Sequence, residues 1–398
     1  MSTRRWRHGY LLALLAFTAR GAGAQAVAGT IDDGDRLWLV REPGNGLPTP
    51  AIENVTGLPA GVKPHDVALF GPRRALAQNF GFDQLLRLDL ASASFVSAIP
   101  VTPWHAYGTI AIAPGGGFAL GSGDDTGVAS GLTVVVNPFA DLPTVRTLAL
   151  PTDQHVHTWQ SSAIDFADDG RAFVATHHRN FNRAAPTGTP NASDVVIVDP
   201  PYTTIAVTVP LPVGTPSLSN FDSAEGIAVT PDGQTVAVVD SDRELFVLHA
   251  PFSAGMAVTT LALGALGSAC LSDVDFTPDG GELLVTDYCR DQVVVLHAPF
   301  DSTAGAELLP TPAGANGFGF EELSIAPDGA LAYVTGNVIS PGVAGLWAIV
   351  APFTAAGAQS YAVVLPFGAR GAGGIELGGR DLFADSFESG DLSLWDGP

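Results

Sequence analysis

Seven recurrences of one hydrophobic anchor, apolar alternation of period two and a duplicated hexapeptide predict an all-β chain. The architecture they predict is a seven-bladed β-propeller with four-stranded blades, one of them shared between N- and C-terminal strands. The anchors are Val67, Ile110, Ile164, Ile227, Val274, Leu323 and Ile375, spaced 43 to 63 residues apart. Six stand in DVALFGPRR, TIAIAPGGG, AIDFADDGR, GIAVTPDGQ, DVDFTPDGG and ELSIAPDGA, and the seventh in the terser GIELGGR. The hexapeptide is VLHAPF, at 247–252 and 295–300. Between these points apolar residues alternate with period 2, not 3.6, which selects strands over helices.

Residues 1–26 read as a targeting segment. Arg4, Arg5 and Arg7 are basic, YLLALLAF (10–17) is a short apolar run, and Ala22-Gly23-Ala24 and Ala24-Gln25-Ala26 both fit a small-x-small cleavage rule. The run is too short to span a bilayer, and no later stretch reaches 18 apolar residues, so no transmembrane segment is expected. The expected location is the periplasm, cell surface or medium. Residues 27–387 form the expected propeller. DRLWLV (35–40) reads as a third strand lacking its first two, with a fourth at 51–55; residues 374–387 offer two strands lacking a third and fourth. Pairing these ends makes the shared blade and removes open sheet edges.

Each complete unit reads alike. A first strand carries the anchor and meets a Pro-Asp-Gly-type turn, where glycine supplies the positive φ. A second strand follows, such as TVAVVD (235–240) or LLVTD (283–287), then a polar loop. A third strand, such as ELFVLH or QVVVLH, ends in a Pro-aromatic turn, and a fourth leads out, such as TTLALG (259–264). Related units place Asn137, Asp199 and Ala351 where VLHAPF has His249 and His297, so those histidines mark a turn and not a catalytic pair. Residues 388–398 are an acidic tail; FESGD within the end of the chain is similar to a C-terminal segment shared by otherwise unrelated bacterial exported proteins.

Tyr333-Val334-Thr335-Gly336-Asn337, with the looser Val285-Thr286-Asp287 and Ala77-Gln78-Asn79, resembles the YVTN-type repeat of seven-bladed lactonase-like and surface-layer-like propellers. The resemblance covers most of residues 35–387. It implies the fold; propellers host many activities, so it implies function only weakly.

The whole chain has 18 basic and 40 acidic residues, a net charge of −22, and Lys63 is its single lysine. Loss of residues 1–26 removes Arg4, Arg5, Arg7 and Arg20 and no acid, which carries the charge to −26. A surface this acidic repels phosphate backbones, which excludes nucleic acid as a partner. A divalent cation or a cationic partner suits the charge, as does simple solubility; the partner is otherwise left open as a protein, glycan or small-molecule ligand. No linker divides the chain, and a monomer is expected. Cys270 and Cys289, an even pair in an exported protein, are expected to form a disulfide.

In a propeller the first strands line the channel. The tight first-to-second turns lie on one face and the second-to-third loops on the other. Three of those loops are long, 121–131, 177–193 and 336–345, and long loops on a rigid frame are where sites are built. The candidate ligand face therefore gathers His65, Asp66, Asn79, His177, His178, Glu225, Asp240, Asp273, Asp287, Glu321 and Glu322, with Asp242 and Asp291 nearby. Within it Glu225, Asp240, Asp273 and Asp287 are candidate ligands for Ca²⁺ or another divalent cation, which takes several oxygens. The competing reading is a polar channel mouth, solvated or paired with Arg243 and Arg290.

Two functions follow. One is a non-catalytic exported propeller that binds a ligand or partner through the long-loop face. The other is a metal-dependent, lactonase-like hydrolase at the channel mouth, where the cation polarises a carbonyl. Whether the chain is an enzyme is left open. His155, His157, His177 and His178 could ligate a transition metal or be plain loop residues. No Gly-x-Ser-x-Gly elbow, Walker loop or His-Glu-x-x-His is present.

Overall fold

The computed structural model describes residues 26–31, 36–41, 51–62, 64–71, 73–79, 83–101, 108–123, 131–151, 154–155, 163–178, 193–212, 224–240, 244–267, 270–310, 319–336, 345–364 and 375–377. Among them the chain is β throughout, apart from one 3₁₀ turn, Leu263–Leu266. No helix there is long and apolar enough to cross a membrane.

Six sheets each use one contiguous stretch of chain, in the up-and-down order of propeller blades. Their inner strands are Pro64–Phe70, Gly108–Ile112, Ile164–Phe166, Ala224–Val229, Leu271–Phe276 and Phe320–Ile325. Blades one to six are numbered in that order. In blade three the extra pair Gln154–His155 continues the inner edge, so its inner strand is split.

Six blades are contiguous, against seven expected with one of them shared between the chain's two ends. The remaining sheet is composite: Ile375–Leu377 pairs with Ala26–Ile31, which pairs with Arg36–Arg41, then Ala51–Asn54. The division also departs from expectation. The N-terminal region contributes three strands and the described C-terminal residues a single strand, where two and two were expected; residues 381–387, the expected second C-terminal strand, lie outside the described residues. Ala26–Ile31 escapes a sequence reading because AVAGTI straddles the expected end of the targeting segment and does not alternate. The composite inner strand touches both Phe320–Ile325 and Pro64–Phe70, so the inner strands form a closed circuit.

The sheets bury apolar side chains on both faces, because each packs between two neighbours. Ser193–Val198 is buried along its whole length, as are five of six residues in Thr235–Asp240. The core clusters accordingly run between blades: Val239, Val247, Val274 and Val285 join blades four and five, and Leu284, Val295, Leu323 and Trp347 join five and six. No blade buries its faces alone, as expected of stacked repeats.

Two turn types recur. In blades four and five the sequence Thr-Pro-Asp-Gly closes on itself. The Thr230 hydroxyl donates to Asp232 at 2.7 Å and accepts from Thr235 N–H at 3.0 Å; Thr277 does the same with Asp279, at 2.7 Å, and Glu282 N–H, at 2.9 Å. Gly233 and Gly280 take φ +66° and +68°, which a side chain would resist. The Pro-aromatic turns plug the seams between blades. Phe139 stacks on Phe70 and Phe252 packs edge-on against Phe173, each in the preceding blade, with centroids 5.6 and 5.3 Å apart. Tyr202 packs on Phe118 of the preceding blade at 5.0 Å and donates to the Gly170 carbonyl at 2.6 Å. The peptide bonds before Pro201, Pro251, Pro299 and Pro352 in these turns are cis. The VLHAPF histidines are turn-side groups, as expected: His249 meets Thr235 at 3.2 Å, and His297 lies between Glu282 (3.4 Å) and Glu307 (2.9 Å).

Candidate functional site

The channel mouth is shaped by a repeated irregularity. In blades one, four, five and six the inner strand slips register between Pro64 and Val67, Ala224 and Ile227, Leu271 and Val274, and Phe320 and Leu323. In each case three inner-strand steps oppose two on the second strand, a β-bulge. The bulged pairs are His65-Asp66, Glu225-Gly226, Ser272-Asp273 and Glu321-Glu322. Most of the acids expected to face a ligand therefore sit on one structural device.

Their contacts run sideways, to the next blade. Asp66 accepts from its own neighbour, Val67 N–H, and from Ile110 N–H of blade two, both at 2.7 Å. Asp273 accepts from Leu323 N–H of blade six at 2.9 Å. Two residues further along the strands the pattern repeats. Asp165 accepts from Phe166 N–H and from Val229 N–H of blade four, both at 2.7 Å, and Asp275 accepts from Ile325 N–H of blade six at 2.9 Å. The cause is elementary. An inner strand has a sheet partner on one side only, so its other row of N–H groups is an open edge. Buried N–H groups need acceptors, and a carboxylate is a strong one. Serine and threonine hydroxyls complete the seam between blades five and six. Thr286 accepts from Asp273 N–H at 2.9 Å and donates to the Glu321 carbonyl at 3.0 Å, while Ser272 donates to the Phe320 carbonyl at 2.7 Å.

Asp273 also explains a glycine. A Cβ on Gly226, in the preceding inner strand, would lie 2.6 Å from the Asp273 carboxylate oxygen and 2.9 Å from its Cα. Asp273 thus spans three consecutive blades. Gly226→Ala is expected to cost about 1–3 kcal/mol through overpacking against backbone that cannot retreat, read as a lower urea midpoint at unchanged slope.

Asp66 is 4% exposed, and burial pushes its carboxyl up to about 7 against the pull of the Ile110 and Val67 amides. The folded value lies above the unfolded one. Its contribution is therefore fully present below about pH 4 and is lost as pH rises through about 7, at roughly 1.4 kcal/mol per unit. Between pH 5 and pH 8 the wild type should lose more stability than Asp66→Asn. Parallel slopes in thermal melts across that range would refute the assignment.

The second polar centre is the disulfide. Cys270 and Cys289 are bonded, with Cα atoms 5.3 Å apart, as expected. Asp287, wholly buried, organises it: one oxygen accepts from Cys270 N–H (3.2 Å) and Cys289 N–H (3.1 Å), the other from the Gln292 side chain (3.2 Å). Tyr288, between them, lays its ring against Gly319, where a Cβ would meet it at 2.6 Å. Burial, with Glu321 and Asp291 nearby, raises the Tyr288 hydroxyl above its usual range. Asp291 accepts from Gly319 N–H.

The structure therefore brings Asp273, Asp287, Glu321 and Glu322 together at the seam of blades five and six. Asp66 and Asn79 lie in blade one, and Asp240 in blade four. His177 and His178 end the second strand of blade three, opposite His155 and Gln154. The side chains of His65, His177, His178 and Glu225 lie outside the described residues, as do most of the three long loops and all of His157 and Asp242. Asp165, Asp275, Ser272, Thr286 and Tyr288 were not in the expected set. For the two aspartates a signal existed, since acids recur one position before or after the anchor.

A divalent cation fits the described members of the candidate ligand set poorly. Asp240, Asp273 and Asp287 belong to different strands in two blades, both oxygens of Asp287 accept protein hydrogen bonds, and one of Asp273 does. Among the described residues no three His, Cys, Asp or Glu side chains converge as a metal site.

No protein-family model matches the chain, and no curated protein does. Solved structures do. Kuenenia stuttgartiensis hydrazine synthase aligns with a TM-score of 0.58 at 14% identity, over 76% of this chain and 87% of that one. A functionally unknown protein from Desulfotomaculum acetoxidans DSM 771 aligns at 0.56 and 15%, over 88% and 98%. The β-propeller domain of Myceliophteria thermophila Cps50 (Swd1) aligns at 0.53 and 13%, over 79% and 90%. At these identities the likeness establishes the propeller fold and carries no activity.

Proposed function

We propose that this chain is an exported, non-catalytic β-propeller of YVTN type that recognises a protein, glycan or small molecule through its long-loop face, with the composite sheet serving as its seventh blade. The observation that carries this reading is the engagement of the inner-strand acids. Asp66, Asp165, Asp273 and Asp275 hold the next blade's amides, so they serve the frame. Recognition then falls to the variable loops 121–131, 177–193 and 336–345, on the side where the Cys270–Cys289 bridge braces the neighbouring loop. The opposite face carries the near-uniform Pro-Asp-Gly-type turns, whose aspartates Asp232 and Asp279 are held below the usual range mainly by Thr230 and by Gly281 N–H respectively. The lactonase-like alternative needs a cation on a set in which Asp273 and Asp287 already accept backbone amide hydrogens.

The test is a glycan array and a glucono-δ-lactone hydrolysis assay with added Ca²⁺. Both use the mature wild type, a variant with all three loops shortened to Asn-Gly turns, and Asp232→Asn on the turn face. The reading expects binding that the loop variant loses and Asp232→Asn keeps, with no lactone turnover. Binding that survives loop shortening, or Ca²⁺-dependent turnover, would overturn it.

A further inference from the structure

We propose that maturation cuts the chain between Ala24 and Gln25, and that Gln25, as the new N-terminus, closes to pyroglutamate. This rests on the export reading above. The sequence allows two cuts, after Ala24 or after Ala26. The fold separates them, because Ala26–Ile31 is the second strand of the composite sheet and is paired on both sides. Ala26 pairs with Arg41, and Val27 pairs with Val40 on one side and Leu377 on the other.

A cut after Ala26 falls inside that strand. It deletes the Ala26–Arg41 pair and turns the Val27 backbone nitrogen into an ammonium at the start of the ladder, where Val27 pairs with both Val40 and Leu377. The pair at Val27 is also where the two chain ends meet, so the damage falls on the closing contact of the ring. A cut after Ala24 leaves every pair intact and sets the new terminus one residue outside the strand.

The residue so exposed is a glutamine, which needs no partner to react. Its α-amine attacks its own side-chain amide carbon. A C–N bond forms, the bond to the amide nitrogen breaks, and ammonia leaves with the displaced proton. The product is a neutral five-membered lactam, so the strand that completes the ring begins without a charged end.

The experiment is export of the full chain from an exporting bacterium, followed by intact mass and N-terminal peptide sequencing by mass spectrometry. The expected product begins at Gln25 and is lighter than the uncyclised chain by one ammonia. Ala22→Tyr, which spoils only the first small-x-small motif, should reduce processing several-fold. A mature chain beginning at Val27 would overturn the inference while leaving export standing. A chain retained from Met1 would overturn export as well. A free glutamine terminus after prolonged incubation would overturn the cyclisation.

Discussion

Asp273→Ala should destabilise the protein by about 3 kcal/mol, among the largest effects of any single polar substitution in the chain. The aspartate is 1% exposed and accepts from Leu323 N–H in the next blade. A hydrogen bond contributes roughly 1 kcal/mol, and its loss leaves a buried amide without its acceptor at a further cost of roughly 1–3 kcal/mol. The missing carboxylate also leaves space against Gly226. Asp273→Asn keeps an oxygen acceptor and should lose about half as much. Urea unfolding of the three proteins measures this directly. Amide exchange adds a sharper readout, because Leu323 N–H should lose protection in Asp273→Ala well beyond the average for its blade. An unchanged midpoint and unchanged Leu323 exchange would remove the clamp from the account.

Breaking the disulfide should cost a similar amount. Cys270 and Cys289 stand 19 residues apart, and cross-linking a loop of that length stabilises by roughly 3 kcal/mol. The double variant Cys270→Ser/Cys289→Ser should show a lowered melting temperature that reductant does not lower further, whereas reductant should lower the wild type to the same value. The effect should be local as well as global. Asp287 holds both cysteine amides, so exchange at Cys270, Cys289 and Gly319 should quicken together. Wild type that melts identically with and without reductant would contradict this.

Much of the fold was legible because its signals are local. A period of two selects strands, a Pro-Asp-Gly turn fixes a hairpin, and a repeat of four such strands has few solutions. TVAVVD at 235–240 and QVVVLH at 292–297 are strands at the residues their alternation marks. The Pro-aromatic turn follows the third strand as its sequence marks, and from it Phe252 and Phe139 pack against the preceding blade. The division of the composite sheet was not legible, because AVAGTI is small, glycine-bearing and lies at the expected end of the targeting segment.

The residues of the site were legible, and the partners of its described aspartates were not. An aspartate on an inner strand looks the same whether it binds a cation or an amide. What distinguishes the two is the partner, and the partner is a backbone N–H 44 to 64 residues away. Every residue but proline carries an N–H, so no residue type announces it. Gly226 offered the one indirect hint, a missing side chain where the Asp273 carboxylate needs room. Tyr288 against Gly319 is hidden in the same way, since a tyrosine beside a cysteine carries no mark of the glycine it covers.

Asp66, Asp165, Asp273 and Asp275 accept amide hydrogens from the next blade and so hold the ring together, a role that needs no metal. This is tested most directly by metal analysis of the purified mature protein, with melting temperatures in Ca²⁺ and in chelator, for wild type and Asp273→Asn. The expected result is no stoichiometric metal, no chelator shift in either protein, and a lower melting temperature in the variant under both conditions. One retained divalent ion per chain, whose removal lowers the wild-type melting temperature to that of Asp273→Asn, would contradict it.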